Sequence, residues 1–289
     1  MIRHLFSIIL FSFLFSACNL VNPKEQIPTY LHLEPFAFNN ADSNVTGSSF
    51  HAIPSVKVAV DDITVGTFDL PCTIPLMMSK TSVAQIIPQV TNQGLKSYVF
   101  SYPFYSSDTV TVQYNPGQVQ NYTPKTRYAP DLTSTAFRMK VNFEEGLLFR
   151  KLSGDTSFVL EKDPAKVIEG QYSAALYVNQ DHKASENISS NYFESPQSEC
   201  YLEIEYRCTV PFTIGLQGEK TDGTVYAEYF AGFYPKDQRN KVYIELGSFT
   251  KKNATYPKFY IILRANLNDE DGKYKEGYVI IDNIKVISR

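Results

Sequence analysis

Two tyrosine-rich runs carry the side chains best suited to holding a ligand. The first, "VYAEYFAGFYP", contains Tyr226, Tyr229 and Tyr234, and the second, "YVFSYPFY", contains Tyr98, Tyr102 and Tyr105. A tyrosine ring can stack on a sugar while its hydroxyl forms hydrogen bonds. Any one of these tyrosines could instead fill a core or lie singly on the surface. The candidate ligand-binding residues are Tyr226, Tyr229 and Tyr234, although the chain contains no tryptophan, the commonest sugar platform.

Acidic pairs are the second group of residues that could do chemistry. Two carboxylates held about 5–10 Å apart across a cleft can hydrolyse a glycosidic bond. Adjacent residues of a strand point to opposite faces, so neither Asp61-Asp62 nor Glu144-Glu145 forms such a pair by itself. The Asp61-Asp62 pair is better explained as a turn. A hydrolase is therefore the least favoured interpretation.

Histidines that could activate a nucleophile are few. A serine or cysteine nucleophile needs a base, usually histidine. Beyond the N-terminal leader the chain has His32, His51 and His182. None of them lies in a recognisable motif, and the sequence has no G-x-S-x-G elbow. We predict that the protein is not an enzyme.

The elements that must position these residues are predicted to be strands. The chain has 20 tyrosines and 20 phenylalanines, which favour strands, and 16 prolines, which discourage long helices. Runs such as "ECYLEIEYRC", "KVYIELGSF" and "KFYIILRANL" are separated by turn residues. Short strands that recur in this way predict an all-β protein built from β-sandwiches.

The N-terminus predicts an exported, lipid-anchored chain. In "MIRHLFSIILFSFLFSAC" a basic head precedes an apolar run that is too short to span a membrane, and small residues follow it. The end of this leader resembles the bacterial lipoprotein box, which implies a signal peptide over 1–17 and acylation of Cys18. Residues 18–26 would form a tether. Asn19 after the cysteine implies that the chain is attached to the outer membrane. The protein could face either the periplasm or the outside of the cell.

The net charge limits the possible binding partners, and the positions of the cysteines limit the possible disulfides. Removal of the leader takes away Arg3, which leaves 26 basic against 30 acidic side chains. This balance gives no footprint for nucleic acid. Cys200 and Cys208 lie in one predicted strand, about 26 Å apart if extended, so they cannot form a disulfide with each other.

The chain length favours two domains, 27–130 and 131–289. The first contains "SVKVAVDDITVGTFDLP", whose alternating valines and acidic turn predict a hairpin. This stretch resembles the PEGA-like surface domains of bacteria, which are small β-sandwiches.

The second domain opens with "NFEEG" and closes with "VIIDNIKVI". These motifs resemble jelly-roll domains of the galactose-binding and carbohydrate-binding type, in which the first and last strands run side by side. That resemblance implies a structural calcium ion held by Glu144, Glu145 and Asp282. The alternative is that Asp282 and Asn283 cap a strand end. The middle of the domain also resembles uncharacterised lipoproteins of the Bacteroidota.

These observations predict a non-catalytic, lipid-anchored binding protein of the cell envelope that recognises glycan through its jelly roll. A binder of this kind would carry an exposed tyrosine cluster on one sheet. The alternative is a structural or assembly component of an envelope complex, which would show an apolar patch or an exposed sheet edge.

Overall fold

The computed structural model describes residues 25–39, 43–196, 199–270 and 272–289. The predicted signal peptide, Cys18 and most of the predicted tether lie outside the described residues. Within these residues strands account for 54% and helices for 5%, which confirms the all-β prediction. Within the described ranges, every helix is too short or too polar to cross a membrane.

The N-terminal part is a β-sandwich with one short helix, α1 (Ser43–Thr46). Its strands are β1 (Thr29–Leu33), β2 (Ala37–Phe38), β3 (Ser55–Val60), β4 (Ile63–Asp69), β5 (Cys72–Leu76), β6 (Ser82–Thr91), β7 (Val99–Ser101), β8 (Asp108–Val112), β9 (Val119–Tyr122) and β10 (Lys125–Thr126). One sheet has the order β4-β3-β6-β7, with β8 also paired to β6, and it faces the sheet β5-β1-β9. Strands β2 and β10 form a separate parallel pair.

The β3–β4 hairpin shows how local sequence specifies this part. Val60 pairs with Ile63, and Asp61 and Asp62 between them have φ angles of 46° and 66°. Positive φ at both central residues is the mark of the type I′ turn, whose twist matches that of the flanking strands. The predicted hairpin and acidic turn are therefore confirmed.

The C-terminal part is a jelly roll of two six-stranded sheets with one short helix, α2 (Gly247–Lys252). Its strands are β11 (Phe137–Val141), β12 (Phe149–Gly154), β13 (Val159–Glu161), β14 (Ser173–Val178), β15 (Ala184–Ser189), β16 (Phe193–Glu194), β17 (Cys200–Cys208), β18 (Phe212–Glu219), β19 (Val225–Phe233), β20 (Lys236–Glu245), β21 (Lys258–Asn266) and β22 (Gly277–Ser288). Single 3-10 turns cover Ser134–Ala136 and Leu267–Glu270.

We name the two sheets by their surroundings. The junction sheet has the order β13-β14-β22-β17-β20, with β11 beside β22, and the open sheet has the order β12-β15-β21-β18-β19, with β16 beside β21. The antiparallel pairing of β11 with β22 confirms that the first and last strands of the jelly roll are neighbours. Cys200 and Cys208 lie at the two ends of β17 and are not joined to each other, as their spacing requires, and both are free thiols.

The junction sheet is buried on both of its faces. Ile204 and Ile284 point into the jelly-roll core, whereas Tyr201, Tyr243 and Ile287 pack into the core of the N-terminal sandwich. An antiparallel sheet commonly keeps one face in water, but here the N-terminal sandwich covers that face. The open sheet is therefore the jelly-roll sheet whose outer face the sandwich leaves exposed. The predicted boundary between 130 and 131 falls between β10 and β11.

Candidate functional site

The candidate site is the outer face of the open sheet, which we call the open face. The antiparallel register lines up side chains from neighbouring strands in rows across it. One row runs through Ile188, Ile262, Gly215 and Tyr229, the next through Glu186, Arg264 and Thr213, and a third through Tyr260 and Gln217. Ile188 and Ile262 are fully buried beneath the larger side chains of this face. The side chains one residue away along the same strands, such as Leu263 and Phe259, point the other way and fill the core. The face is therefore set by strand alternation across four strands.

Three tyrosines give the open face its aromatic surface. Tyr192 is 44% exposed, and its ring centroid lies 5.8 Å from that of Tyr260. The Lys258 ammonium lies over the Tyr192 ring at 4.8 Å. Tyr229 stands two strands from Tyr260, and both rings are half-buried. These rings offer apolar surface with polar groups at their edges, as a sugar ring requires.

Hydrogen bonds fix the polar side chains of the open face. The Tyr229 hydroxyl donates to Glu186 Oε1 at 2.5 Å, and Ser153 Oγ donates to Glu186 Oε2 at 2.7 Å. Burial and the Glu186 carboxylate raise the pKa of Tyr229 well above its usual value. Tyr229 therefore stays a neutral donor at physiological pH, and Glu186 stays oriented by two hydroxyls.

A β-bulge places Tyr229 on this face. Ile214 pairs with Ala231 and Gly215 with Tyr229, so Phe230 is the extra residue in β19. A Cβ atom on Gly215 would lie 2.1 Å from the Glu228 carbonyl oxygen. Only glycine allows this close approach, because any side chain would push β19 away. Gly215 thus holds the backbone that carries Tyr229.

The three tyrosines proposed from the sequence do not form one cluster. Tyr229 lies on the open face. Tyr226 is three residues earlier in the same strand, so it points to the opposite face, where its ring is 37% exposed and lies near those of Phe249 and Tyr256. Tyr234 is 73% exposed in the short connection from β19 to β20, which joins the two sheets. The prediction that Tyr226, Tyr229 and Tyr234 together form the ligand-binding surface is therefore corrected, because only Tyr229 of the three lies on the open face.

Sequence reasoning missed Tyr192, Tyr260, Glu186 and Arg264. The signal for Tyr260 and Arg264 is present, because "KFYIILRAN" alternates and puts Tyr260, Ile262 and Arg264 on one face. Their meeting with β15 and β19 depends on pairing between strands distant in sequence. In the second tyrosine run, Tyr102 and Tyr105 are buried at the junction between the two parts, and Tyr98 is exposed.

The residues proposed for calcium meet only in part. Glu144 and Asp282 line a cavity of about 380 Å³ between the jelly roll and Ser48 of the N-terminal sandwich. Glu145 is exposed and is not one of its lining residues. Among the described residues no group of three or more histidine, cysteine or acidic side chains is arranged to hold a metal.

Several carboxylate oxygens in this cavity already accept hydrogen bonds. Glu144 Oε1 accepts hydrogen bonds from the backbone N–H groups of Gln171 and Tyr172, at 2.9 and 3.2 Å. Asp282 Oδ2 accepts from Ser173 Oγ at 2.7 Å, and Oδ1 accepts from its neighbour's N–H. Lys140 and Lys285 line the same cavity. This arrangement does not fit a calcium cage, so calcium at Glu144, Glu145 and Asp282 stays a prediction without support from the geometry.

Asp282 gives a pH-dependent prediction instead. Burial, with a smaller contribution from the Glu205 carboxylate, raises the pKa of Asp282 to about 7. The unfolded chain releases this proton near pH 4, so between about pH 4 and 7 the folded protein holds a proton that the unfolded chain has lost. The contribution of Asp282 to the free energy of unfolding therefore falls as the pH rises through this window, and it is constant above it.

Melting temperatures measured between pH 5 and 8 for the wild type and for Asp282→Asn test this prediction. The difference between the two proteins isolates Asp282 from His51, whose pKa is lowered by burial and whose contribution has the opposite slope. We expect the wild type to lose stability relative to Asp282→Asn as the pH rises to 7. Parallel curves would contradict the assignment.

Comparison with known proteins assigns this chain to no family. No protein-family model matches the chain, and no curated protein matches it. The resemblances to PEGA-like domains and to Bacteroidota lipoproteins therefore stay predictions.

Solved structures similar to the chain include carbohydrate-binding modules. One is TmCBM61 in complex with β-1,4-galactotriose, with 13% identity, a TM-score of 0.35, and coverage of 53% of this chain and 99% of that chain. A second is the C-terminal family 22 module of Clostridium thermocellum Xyn10B, with 12% identity, a TM-score of 0.36, and coverage of 54% and 96%. A third is a module of the β-sandwich superfamily described for promiscuous specificity, with 15% identity, a TM-score of 0.39, and coverage of 92% and 100%.

At these TM-scores the likenesses carry no argument about what this chain binds. The fold class rests on the strand content, the sheet order and the register described above. The chain is thus an all-β protein with a jelly roll, and its structural neighbours include carbohydrate-binding modules.

Proposed function

We propose that this protein is a non-catalytic glycan-binding protein, anchored to the outer membrane by lipid on Cys18, and that the open face is its binding surface. The observation that carries the proposal is the make-up of that face. It combines the rings of Tyr192, Tyr229 and Tyr260 with hydrogen-bonding side chains on rigid strands. The junction sheet has its outer face covered, so the open face is the jelly-roll sheet surface that remains for a ligand.

The chemistry of the open face suits a hydroxyl-rich ligand. Glu186 has lone pairs beyond the two used by Ser153 and Tyr229, so it can accept sugar hydroxyls. Gln217 offers both a donor and an acceptor. Tyr260 and Tyr229 stand two strands and one row apart, which is roughly 12 Å. That separation exceeds a single sugar ring, so we infer an oligosaccharide or polysaccharide as the ligand.

The test uses the full chain with Cys18→Ala, which keeps it off the membrane, against a panel of bacterial, plant and host glycans. For any glycan that binds, Tyr229→Ala and Tyr260→Ala are each expected to weaken binding by ~30-fold, as loss of an aromatic anchor does. Tyr229→Phe keeps the ring and loses the hydroxyl held by Glu186, so it is expected to have a smaller effect. Calorimetry gives the dissociation constants.

Tyr234→Ala is the matched control, because Tyr234 is strongly exposed but lies off the open face. Its affinity should equal that of the parent. Glycan binding that is lost equally in Tyr234→Ala, or the lack of binding to every glycan on the panel, would contradict the proposal.

The lipid anchor is supported by the sequence before Cys18, an apolar run followed by Ser16 and Ala17. Each buried methylene of an acyl chain contributes about 0.8 kcal/mol, so two or three chains would hold the protein stably. The Cys18→Ala chain should leave the membrane in a carbonate wash. Retention of that variant would contradict the anchor and leave the open face untouched as a binding surface.

A further inference from the structure

An apolar groove lies on the N-terminal sandwich, between the edges of its two sheets. It has a volume of about 460 Å³ and is lined by residues of β4 and β5 and of the loop after β5. Strand β4 pairs only with β3, so its other edge is unpaired among the described strands. Ile63 is 72% exposed and Met77 62% exposed, and both line this β4–β5 groove. Large exposed apolar side chains that share one groove mark an interaction surface.

The groove carries little charge to select a charged partner. Among its lining residues Asp61 and Lys80 are the ones with ionisable charges, and they are opposite in sign. The remaining lining residues are apolar or neutral, with Val65, Pro75 and Leu76 among them. An acidic or basic peptide would find no complementary field here. The partner is therefore one that gains mainly from burial of apolar surface.

The C-terminal end of the predicted tether lies beside this groove. Gln26 Nε2 donates a hydrogen bond to the Met78 carbonyl oxygen at 3.0 Å, and Met78 lines the groove. The next residue, Ile27, is also strongly exposed. Cys18 precedes Gln26 by eight residues, which reach at most about 29 Å when fully extended. A lipid on Cys18 would therefore hold the bilayer within that distance of the groove.

We propose that the β4–β5 groove seats against the bilayer that holds the lipid of Cys18, with Ile63 and Met77 entering the interface between headgroups and acyl chains. This inference rests on the proposed lipid anchor. The anchor supplies the proximity, and the groove supplies apolar surface at the end of the protein where the tether starts. Contact between the groove and the bilayer would restrict the orientation of the jelly roll relative to the membrane.

The lack of tryptophan makes a direct test possible, because a single introduced tryptophan reports one position. The lipidated full chain would carry Ile63→Trp or Met77→Trp in vesicles of phosphatidylethanolamine and phosphatidylglycerol. Tyr234→Trp is the matched control, since Tyr234 is as exposed as Ile63 but lies in the jelly roll. Interfacial side chains lie about 5–10 Å into the boundary layer, so we expect ~two-fold more quenching by brominated acyl chains at 63 and 77 than at 234.

The possible outcomes distinguish contact between the groove and the bilayer, which we call the seat, from lipid anchoring at Cys18. Quenching at 63 and 77 no greater than at 234, in protein whose acylated Cys18 is verified by mass spectrometry, would overturn the seat and leave the anchor standing. The absence of lipid on Cys18 would overturn both. A blue shift at Ile63→Trp that depends on protein concentration in the absence of vesicles would mean that a second copy occupies the groove, which also overturns the seat.

Discussion

Replacing Glu203 by alanine is expected to lower the free energy of unfolding by about 3–5 kcal/mol, because the change leaves the buried Lys241 ammonium without its carboxylate. Glu203 Oε2 lies 2.6 Å from Lys241 Nζ and 4.0 Å from Lys285 Nζ, and all three side chains are almost completely buried. The hydroxyls of Tyr102 and Tyr128 donate to the two carboxylate oxygens at 2.8 and 2.7 Å. Burial disfavours the charged form, but Lys241 and Lys285 hold the pKa of Glu203 below its usual value.

Chemical denaturation of Glu203→Ala measures this loss. Glu228→Ala is the control, because Glu228 pairs with the exposed Lys252 at 3.7 Å and such pairs contribute about 0–1 kcal/mol. The double variant Glu203→Leu/Lys241→Met removes the closest charge pair together, so it should lose less stability than Glu203→Ala. A loss for Glu203→Ala no larger than for Glu228→Ala would show that the buried charges are not coupled as described.

Tyr243→Ala is expected to destabilise both parts of the protein together, by about 3–5 kcal/mol, as truncation of a large buried ring does. Tyr243 belongs to β20 of the jelly roll, yet it packs in the core of the N-terminal sandwich. Its ring lies 4.9 Å from that of Tyr102, its hydroxyl is 2.9 Å from the Tyr105 hydroxyl, and it accepts a hydrogen bond from the Ala52 N–H. One side chain thus joins the two cores.

Calorimetry distinguishes joint from separate melting. We expect a single transition in the wild type and a single transition at lower temperature in Tyr243→Ala. Tyr243→Phe keeps the ring and loses only the hydroxyl, so it should cost about 1–2 kcal/mol. Tyr234→Ala, an exposed change, should stay within about 0.5 kcal/mol of the wild type. Two transitions, with the jelly roll unaffected by Tyr243→Ala, would mean that the parts fold independently.

The junction also explains why the proposed ligand site lies on the open sheet. Arg239 forms ion pairs with Glu205 and Glu169 and packs against the Phe50 ring of the N-terminal sandwich. Lys241 Nζ donates to the Phe50 carbonyl oxygen at 3.0 Å. These contacts cross between the two parts and occupy the outer face of the junction sheet. A glycan would have to break them to bind there, whereas the rings of Tyr192, Tyr229 and Tyr260 on the open face are already partly exposed.

The sequence by itself determined the features that depend on near neighbours along the chain. Alternation defined the strands, two residues with turn chemistry defined the β3–β4 hairpin, and the position of Cys200 and Cys208 in one strand excluded their pairing. The resemblance of "NFEEG" and "VIIDNIKVI" to jelly-roll ends correctly implied that β11 and β22 are neighbours. Tyr229 stays a prediction, made because its residue type suits sugar binding.

Only the tertiary structure decided which faces are covered. In "CYLEIEYRC" the charged residues Glu203, Glu205 and Arg207 alternate with apolar ones, a pattern typical of a strand with one face in water. The N-terminal sandwich instead buries Glu203 and Glu205 beside lysines and an arginine from other strands. Likewise Tyr226 and Tyr229 are close in sequence but lie on opposite faces, while Tyr192 and Tyr260 meet across strands. Alternation fixes which residues of one strand share a face, but pairing and packing of distant segments decide what that face contacts.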